Sequence, residues 1–224
     1  GLPTGFQGVA MNVGGVFLLR FIGALPESAH AQAAFAIAYT ELFSLITFTS
    51  VGVMGATAAV VGQNLGAGRL DRAWQAVTVS ARLGLAVALG VGLLFLLIPG
   101  PLLAVFGVSD PLTGTIARSL LGHLAVSGLF VTVALAYTGA LQGSGDTRSP
   151  LYISIVSQVL VPLGLCVLFQ RFGTFEPVDI WRAIVAGHVT RCLLSIARFR
   201  QGKWQRIVVD VGHCGSDRPR PEVT

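Results

Sequence analysis

Five stretches of this chain contain no charged side chain at all: residues 1–19, 42–68, 83–109, 119–145 and 149–170. Each approaches or exceeds the roughly 20 residues that an α-helix needs to cross a lipid bilayer. Hydrocarbon offers a backbone amide no hydrogen-bond partner, so only helices and closed barrels can span it. These runs are too long and too unalternating for barrel strands, whose lipid-facing and lumen-facing residues alternate over about ten positions. The expected class is all-α: a polytopic transmembrane bundle.

Composition leads to the same class. Charged residues make up 11% of the 224, against roughly a quarter in an average soluble domain. The mean hydropathy is +0.75. A net charge of +5 raises the question of nucleic acid, yet the basic residues sit at the ends of apolar runs and in the tail, without interleaved aromatics. The lipid bilayer, through its anionic headgroups, is the expected counter-charge, and nucleic acid is not an expected partner. Cys166 and Cys192 inside apolar helices and Cys214 in the tail have neither disulfide nor zinc spacing, and read as small packing residues.

The apolar pattern predicts six helices at about 6–25, 33–62, 73–98, 112–141, 150–169 and 178–198. Residues 1–200 then form one transmembrane lobe and 201–224 a cytoplasmic tail, disordered from about 212, where the composition becomes turn-forming and charged. Short connections make neighbouring helices antiparallel. Pro3, Pro26, Pro111, Pro150 and Pro177 fall at helix ends, where a missing N–H costs least. Pro162 alone lies in mid-helix and predicts a kink. Arg69, Arg72, Arg148, Arg198, Arg200, Lys203 and Arg206 gather at one side, which the positive-inside rule assigns to the cytoplasm. The sixth helix is interrupted by Arg182, His188, Arg191 and Arg198. Charges at that depth have to face protein or water, and His188 and Arg191 read as inward-facing polar partners.

Two connections carry more than their composition requires. Residues 56–73 read ATAAVVGQNLGAGRLDRA. A helix end leaves carbonyls unpaired, and a glycine in the left-handed conformation recaptures them; Gly62, Gly66 and Gly68 suit that reversal. Gln63 and Asn64 can bond exposed backbone, and Asp71 sits where the helix dipole favours a carboxylate. Residues 139–152 read GALQGSGDTRSPLY, bringing Gln142, Gly143, Gly145, Asp146, Thr147 and Arg148 to a second such turn. The two loops lie about 75 residues apart, each after an apolar helix.

Together they resemble the multidrug and toxic compound extrusion (MATE) transporters, which carry G-Q-x-x-G-A-G and L-Q-G-x-G-D-T-R-x-P loops at cytoplasmic helix ends of their carboxy-terminal half. The resemblance runs from about Leu2 to Asp210. It implies a fold of twelve helices in two lobes, of which this chain matches helices seven to twelve. The amino-terminal lobe would then be missing, which agrees with a chain opening on Gly1. The resemblance further implies export of small amphipathic or cationic drugs, driven by Na+ or H+ as coupling ion with no other cofactor. The expected setting is the bacterial inner membrane with a cytoplasmic carboxy terminus, and no enzymatic activity.

Coupling needs a carboxylate that binds the ion in one state and releases it in another. Family members place acids on the first, second and fourth helices of this half. Here the first and fourth have none, and Glu41 is the one deeply placed acid. From the expected outer helix ends, Glu41 lies about 12 Å deep and Arg20 about 8 Å, so an ion pair between them competes with a coupling or substrate-cation role. Gln7, Asn12, Thr40, His123, Ser127, Tyr137 and Gln158 are candidates to line a cavity; Ser154, Ser157 and Gln158 share one face of the fifth helix. Tyr137 matches a family tyrosine near the ion site, without its accompanying acid.

Three other readings stand beside export. Lipid-linked oligosaccharide flippases share the architecture and would turn Arg20 and Arg118 toward phosphate. A half-length chain can also be a transport-inactive fragment or scaffold. Ala125–Gly128 and His188 faintly resemble an intramembrane serine protease, but Ser127 and His188 differ by about 7 Å in depth, too far for a dyad.

Overall fold

A computed structural model describes residues 2–206. Six long helices follow one another as α1 (Leu2–Gly23), α2 (Ser28–Gly66), α3 (Leu70–Leu97), α4 (Pro111–Gly143), α5 (Arg148–Phe172) and α6 (Pro177–Arg200). All six are long and apolar enough to cross a membrane, and no strand occurs among the described residues. A short helix at Pro99–Val105 follows α3, and a 3-10 turn at Lys203–Arg206 follows α6. The tail expected to be disordered from about 212 lies outside the described residues.

The starts of α4 and α6 carry side-chain caps. The exposed Asp110 carboxylate accepts from the Thr113 backbone N–H at 2.7 Å and its hydroxyl at 2.8 Å, with Pro111 at the first helical position. These bonds, helped by His30 3.1 Å away, hold Asp110 below the usual carboxylate range. The His30 contact also ties the start of α2 to the start of α4. At α6, Glu176 and Asp179 form a reciprocal capping box on either side of Pro177, satisfying two backbone donors that the helix cannot satisfy itself.

Helix α4 is the axle, packed against α2, α3 and α6. Lipid tails are as apolar as leucine, so helices in a bilayer associate through close packing of small residues. Gly84 of α3 faces Thr132, where an added Cβ would stand 3.2 Å from the Thr132 side chain. On its other side, Gly139 and Gly143 of α4 lie directly on the α2 backbone at Met54 and Ala58, leaving no space for a side chain.

Two helices contain a π-helical turn: Ala36–Leu42 in α2 and Val156–Leu160 in α5. The second immediately precedes Pro162, whose ring would collide with the carbonyl four residues back in a regular helix. The wider turn relieves that collision, and such turns recur at functional sites. Glycines on the flanking helices accept the displaced backbone. A Cβ at Gly14 of α1 would stand 3.1 Å from the Gln158 carbonyl oxygen, and one at Gly187 of α6 would stand 2.5 Å from that of Ser157.

Candidate functional site

Both glycine loops close their helices in the same way. After α2, the Gly68 N–H bonds Leu65 O at 2.9 Å and the Arg69 N–H bonds Asn64 O at 2.8 Å. After α4, the Gly145 N–H bonds Gln142 O at 3.0 Å and the Asp146 N–H bonds Leu141 O at 2.9 Å. Gly68 and Gly145 adopt φ of 70° and 89°, the left-handed conformation this paired capping motif requires. Gly62 and Gly66 remain helical. Gly62 instead lies where a Cβ would stand 3.0 Å from the Gly143 carbonyl oxygen, so the two motifs meet in space.

The second loop is fastened to α6. Asp146 is buried and receives the Ser149 backbone N–H at 3.0 Å, the Ser149 hydroxyl at 2.7 Å and the Arg198 Nη2 at 2.8 Å. Arg198 Nε also donates to the Ser149 hydroxyl at 2.7 Å. Burial alone would push the Asp146 carboxyl up, but the bonds from Ser149 and Arg198 outweigh it and leave the group below its ordinary value. Next to this clamp, Phe199 stacks on Trp204 with centroids 4.6 Å apart, and the edges of Trp74 and Tyr137 meet Phe199.

Inside the bundle, a cavity of about 280 Å³ opens between α1, α2, α4, α5 and α6. Its polar lining includes Gln7, Tyr39, Thr47, Gln142, Gln158, His188 and Arg191, its apolar lining Phe43, Val51, Met54, Val131 and Leu135. A smaller neighbour of about 90 Å³ shares Tyr39, Gln158 and His188. Gln7 is held by a 2.7 Å bond from its amide to the Ser154 hydroxyl. His188 and Arg191 are 4% and 5% exposed, and Phe43 stacks on the His188 ring at 5.9 Å. Gln158 Nε2, His188 Nδ1 and Arg191 Nε are buried with no protein hydrogen-bond partner.

The profile of the MatE family matches residues 3–168. The chain belongs to the MatE family. It is 30% identical over 203 residues to the probable multidrug resistance protein NorM of Deinococcus radiodurans, covering 89% of this chain and 44% of that protein. The fold matches a multidrug resistance MATE family transporter in its outward-facing conformation, with a TM-score of 0.83 at 19% identity over 92% of this chain and 46% of that one. It matches an inward-facing MATE family transporter with a TM-score of 0.80 at 18% identity, covering 93% and 48%. The chain thus spans about half the length of the relatives it matches.

In this MatE chain the residues singled out from sequence fall into separate places. Gln7 and Gln158 line the larger cavity, with Gln142 of the second loop motif. Asn12 is exposed and bonds its own helix at Gly8 O, and Thr40 is exposed on the π-helical turn of α2. His123 bonds Ser119 O on its own helix, while the buried Ser127 hydroxyl has no partner. Tyr137 belongs to the aromatic cluster around Phe199. Gln63 and Arg148 are exposed, and Thr147 leads into α5. Arg118 reaches toward Gly100, beside Asp110 at the opposite end of the bundle.

The ion pair between Arg20 and Glu41, one of the two readings of Glu41, does not form: among the described residues the ion pairs are His30–Asp110, Arg182–Asp179 and Arg198–Asp146. The reason is height. Helix α2 begins at Ser28 and not near residue 33, so Glu41 lies about 20 Å from that end at 1.5 Å per residue, whereas Arg20 lies about 5 Å from the end of α1. Arg20 instead lies beside Val167 and Gln170 of α5. Glu41 is exposed on the π-helical turn and lines neither cavity, and its carbonyl accepts the Ser44 hydroxyl.

Arg191 and His188 were legible as inward-facing from their place in a hydrophobic helix, but their convergence with Gln158 was not. That meeting depends on the π-helical turn before Pro162 and on Gly187, which lets α5 and α6 approach.

Proposed function

We propose that this chain forms the carboxy-terminal lobe of a transporter that exports drugs or organic cations by alternating access, driven by entry of Na+ or H+. The observation that carries the reading is Glu41: an exposed carboxylate well inside a spanning helix, about a third of the way from Ser28 to Gly66, with no cation paired to it among the described residues. A charge at the bilayer centre costs about 2.5–3.5 kcal/mol on insertion scales, so such residues face water or protein. In the proposed assembly, the face bearing Glu41 and Thr40 opposes an amino-terminal lobe across a wet cleft, where the carboxylate takes up and releases the coupling ion. The NorM relative supports the export of drugs, and the match of one fold to both outward- and inward-facing transporters supports a lobe that rocks as a unit. The arginine-rich end with the two glycine loops and the carboxy terminus faces the cytoplasm, in a bacterial inner membrane.

The test is efflux of ethidium from proteoliposomes containing the chain with an amino-terminal lobe, under an imposed Na+ or pH gradient. Glu41→Gln abolishes gradient-driven efflux while Arg20→Ala retains it. Full efflux in Glu41→Gln overturns the coupling role, and absence of gradient-driven efflux in the unaltered protein overturns the transport reading.

A further inference from the structure

Arg191 sits nine residues before the end of α6, about 14 Å into the bundle at 1.5 Å per residue. A guanidinium stays charged at any working pH. A buried charge normally has an acid beside it, because one left uncompensated costs several kcal/mol. Here no described carboxylate lies within ion-pair distance. Arg191 therefore answers to something other than a fixed acid of the described chain.

Two further buried groups without partners face the same cavity. Gln158 Nε2 is an obligate donor without an acceptor, and His188 Nδ1 is likewise unpartnered. Ser127, Trp181 and Ser195 also carry buried polar atoms without partners, but they do not line this cavity. The cavity thus gathers two donors and an imidazole nitrogen able to donate, one of them permanently positive. An ionised carboxylate is the complementary group: it only accepts, its two oxygens offer about four lone-pair sites, and it takes a guanidinium in a two-pronged bond. Phe43, Val51, Met54, Val131 and Leu135 supply apolar lining, which receives a hydrophobic or aromatic body and not a small hydrated anion.

We infer that the cavity between α1, α2, α4, α5 and α6 is a binding site for amphipathic carboxylates, with Arg191 bonding the carboxylate, Gln158 and His188 completing its shell and Phe43 covering the apolar body. This deepens the export reading by adding molecules that carry a carboxylate, alone or in a zwitterion, to the substrate class. Binding is read on the chain by itself without transport, so its failure and the failure of the export reading are separately visible.

The test uses the purified chain in phosphatidylcholine nanodiscs, with calorimetric titration of 1-naphthoate, its uncharged analogue 1-naphthamide and the cation 1-naphthylmethylammonium, each corrected against empty nanodiscs. The expected result is naphthoate binding at least tenfold tighter than naphthamide, with the cation weakest. Arg191→Met removes the preference while keeping a cooperative thermal transition, since replacing an uncompensated buried charge by a chain of similar length is not expected to unfold the bundle. Arg191→Lys retains the charge but loses the fork, and keeps a reduced preference. Equal binding of naphthoate and naphthamide, tighter binding of the cation, no binding by folded protein, or a preference that survives in Arg191→Met overturns the inference. So does an anionic phospholipid that copurifies with the unaltered chain, is lost in Arg191→Met and is not displaced by naphthoate.

Discussion

Gly62 of α2 lies against the carbonyl of Gly143 at the end of α4, so the two loop motifs, distant in sequence, form one contact in the folded lobe. Their glycines do different work. Gly68 and Gly145 supply backbone conformation, Gly62 and Gly143 supply closeness, and Asp146 fastens the assembly to α6 through Arg198.

Substitution at Gly143 separates these roles. An added Cβ there would overlap the Ala58 backbone, whereas one at Gly66, in the same pair of motifs, meets nothing within 4 Å. Gly143→Ala is expected to destabilise the lobe by about 1–3 kcal/mol, the usual cost of overpacking. Gly66→Ala is expected to be neutral or to gain up to about 1 kcal/mol from helix propensity. Thermal melts followed by circular dichroism in detergent decide between them, and equal effects would contradict close packing as the role of Gly143.

The Asp146 clamp has a pH signature. Its carboxyl is held below the ordinary value, because Ser149 and Arg198 outweigh the burial that raises it. A group with a depressed folded pKa contributes stability above its unfolded pKa, near 4, and loses it as pH falls through the lower folded value. Asp146→Asn is expected to cost about 1.5–3 kcal/mol at neutral pH, the range for a hydrogen bond to a charged group. Denaturation midpoints measured from pH 7 down to 3 should converge between the unaltered and substituted proteins, and a constant gap would refute the ionised clamp.

Much of the fold was written in the sequence because its determinants are local. Uncharged runs located five of the spans and a broken apolar pattern the sixth, prolines and glycines marked their ends, and the two motifs carried the family. The site was less legible. Asn12 and His123 were as polar as Gln7 and Gln158, yet each satisfies itself on its own helix; only the tertiary arrangement distinguishes them. Depth arithmetic misplaced Glu41 because α2 extends five residues beyond the expected start, through SAHAQ, whose polar side chains concealed the helix. No periodicity signals a π-helical turn, and two of them shape the region around Tyr39, Glu41 and Gln158.

Gly187 tests the second of those turns. A Cβ there would come within 2.5 Å of the Ser157 carbonyl oxygen and 2.9 Å of Pro162 Cγ. Gly187→Ala is expected to push α6 from α5, lowering stability by about 1–3 kcal/mol and weakening naphthoate binding. Gly164→Ala, at an exposed position of α5 where a Cβ meets nothing within 4 Å, is expected to do neither. Melting and titration of both proteins provide the check.

The most direct measurement concerns whether α2 meets water at Glu41, as half of a two-lobed gate requires. In a chain with Cys166, Cys192 and Cys214 replaced by alanine and assembled with an amino-terminal lobe in native membranes, Glu41→Cys and Phe48→Cys would be labelled separately with a charged, water-soluble maleimide. Phe48 is 76% exposed on the same helix and serves as the reference for an exposed apolar position. Rapid labelling at position 41 that a transported cation slows, with little labelling at position 48, is the expected result. Labelling at position 41 as slow as at position 48 would contradict a water-filled cleft at Glu41 and the coupling assigned to it.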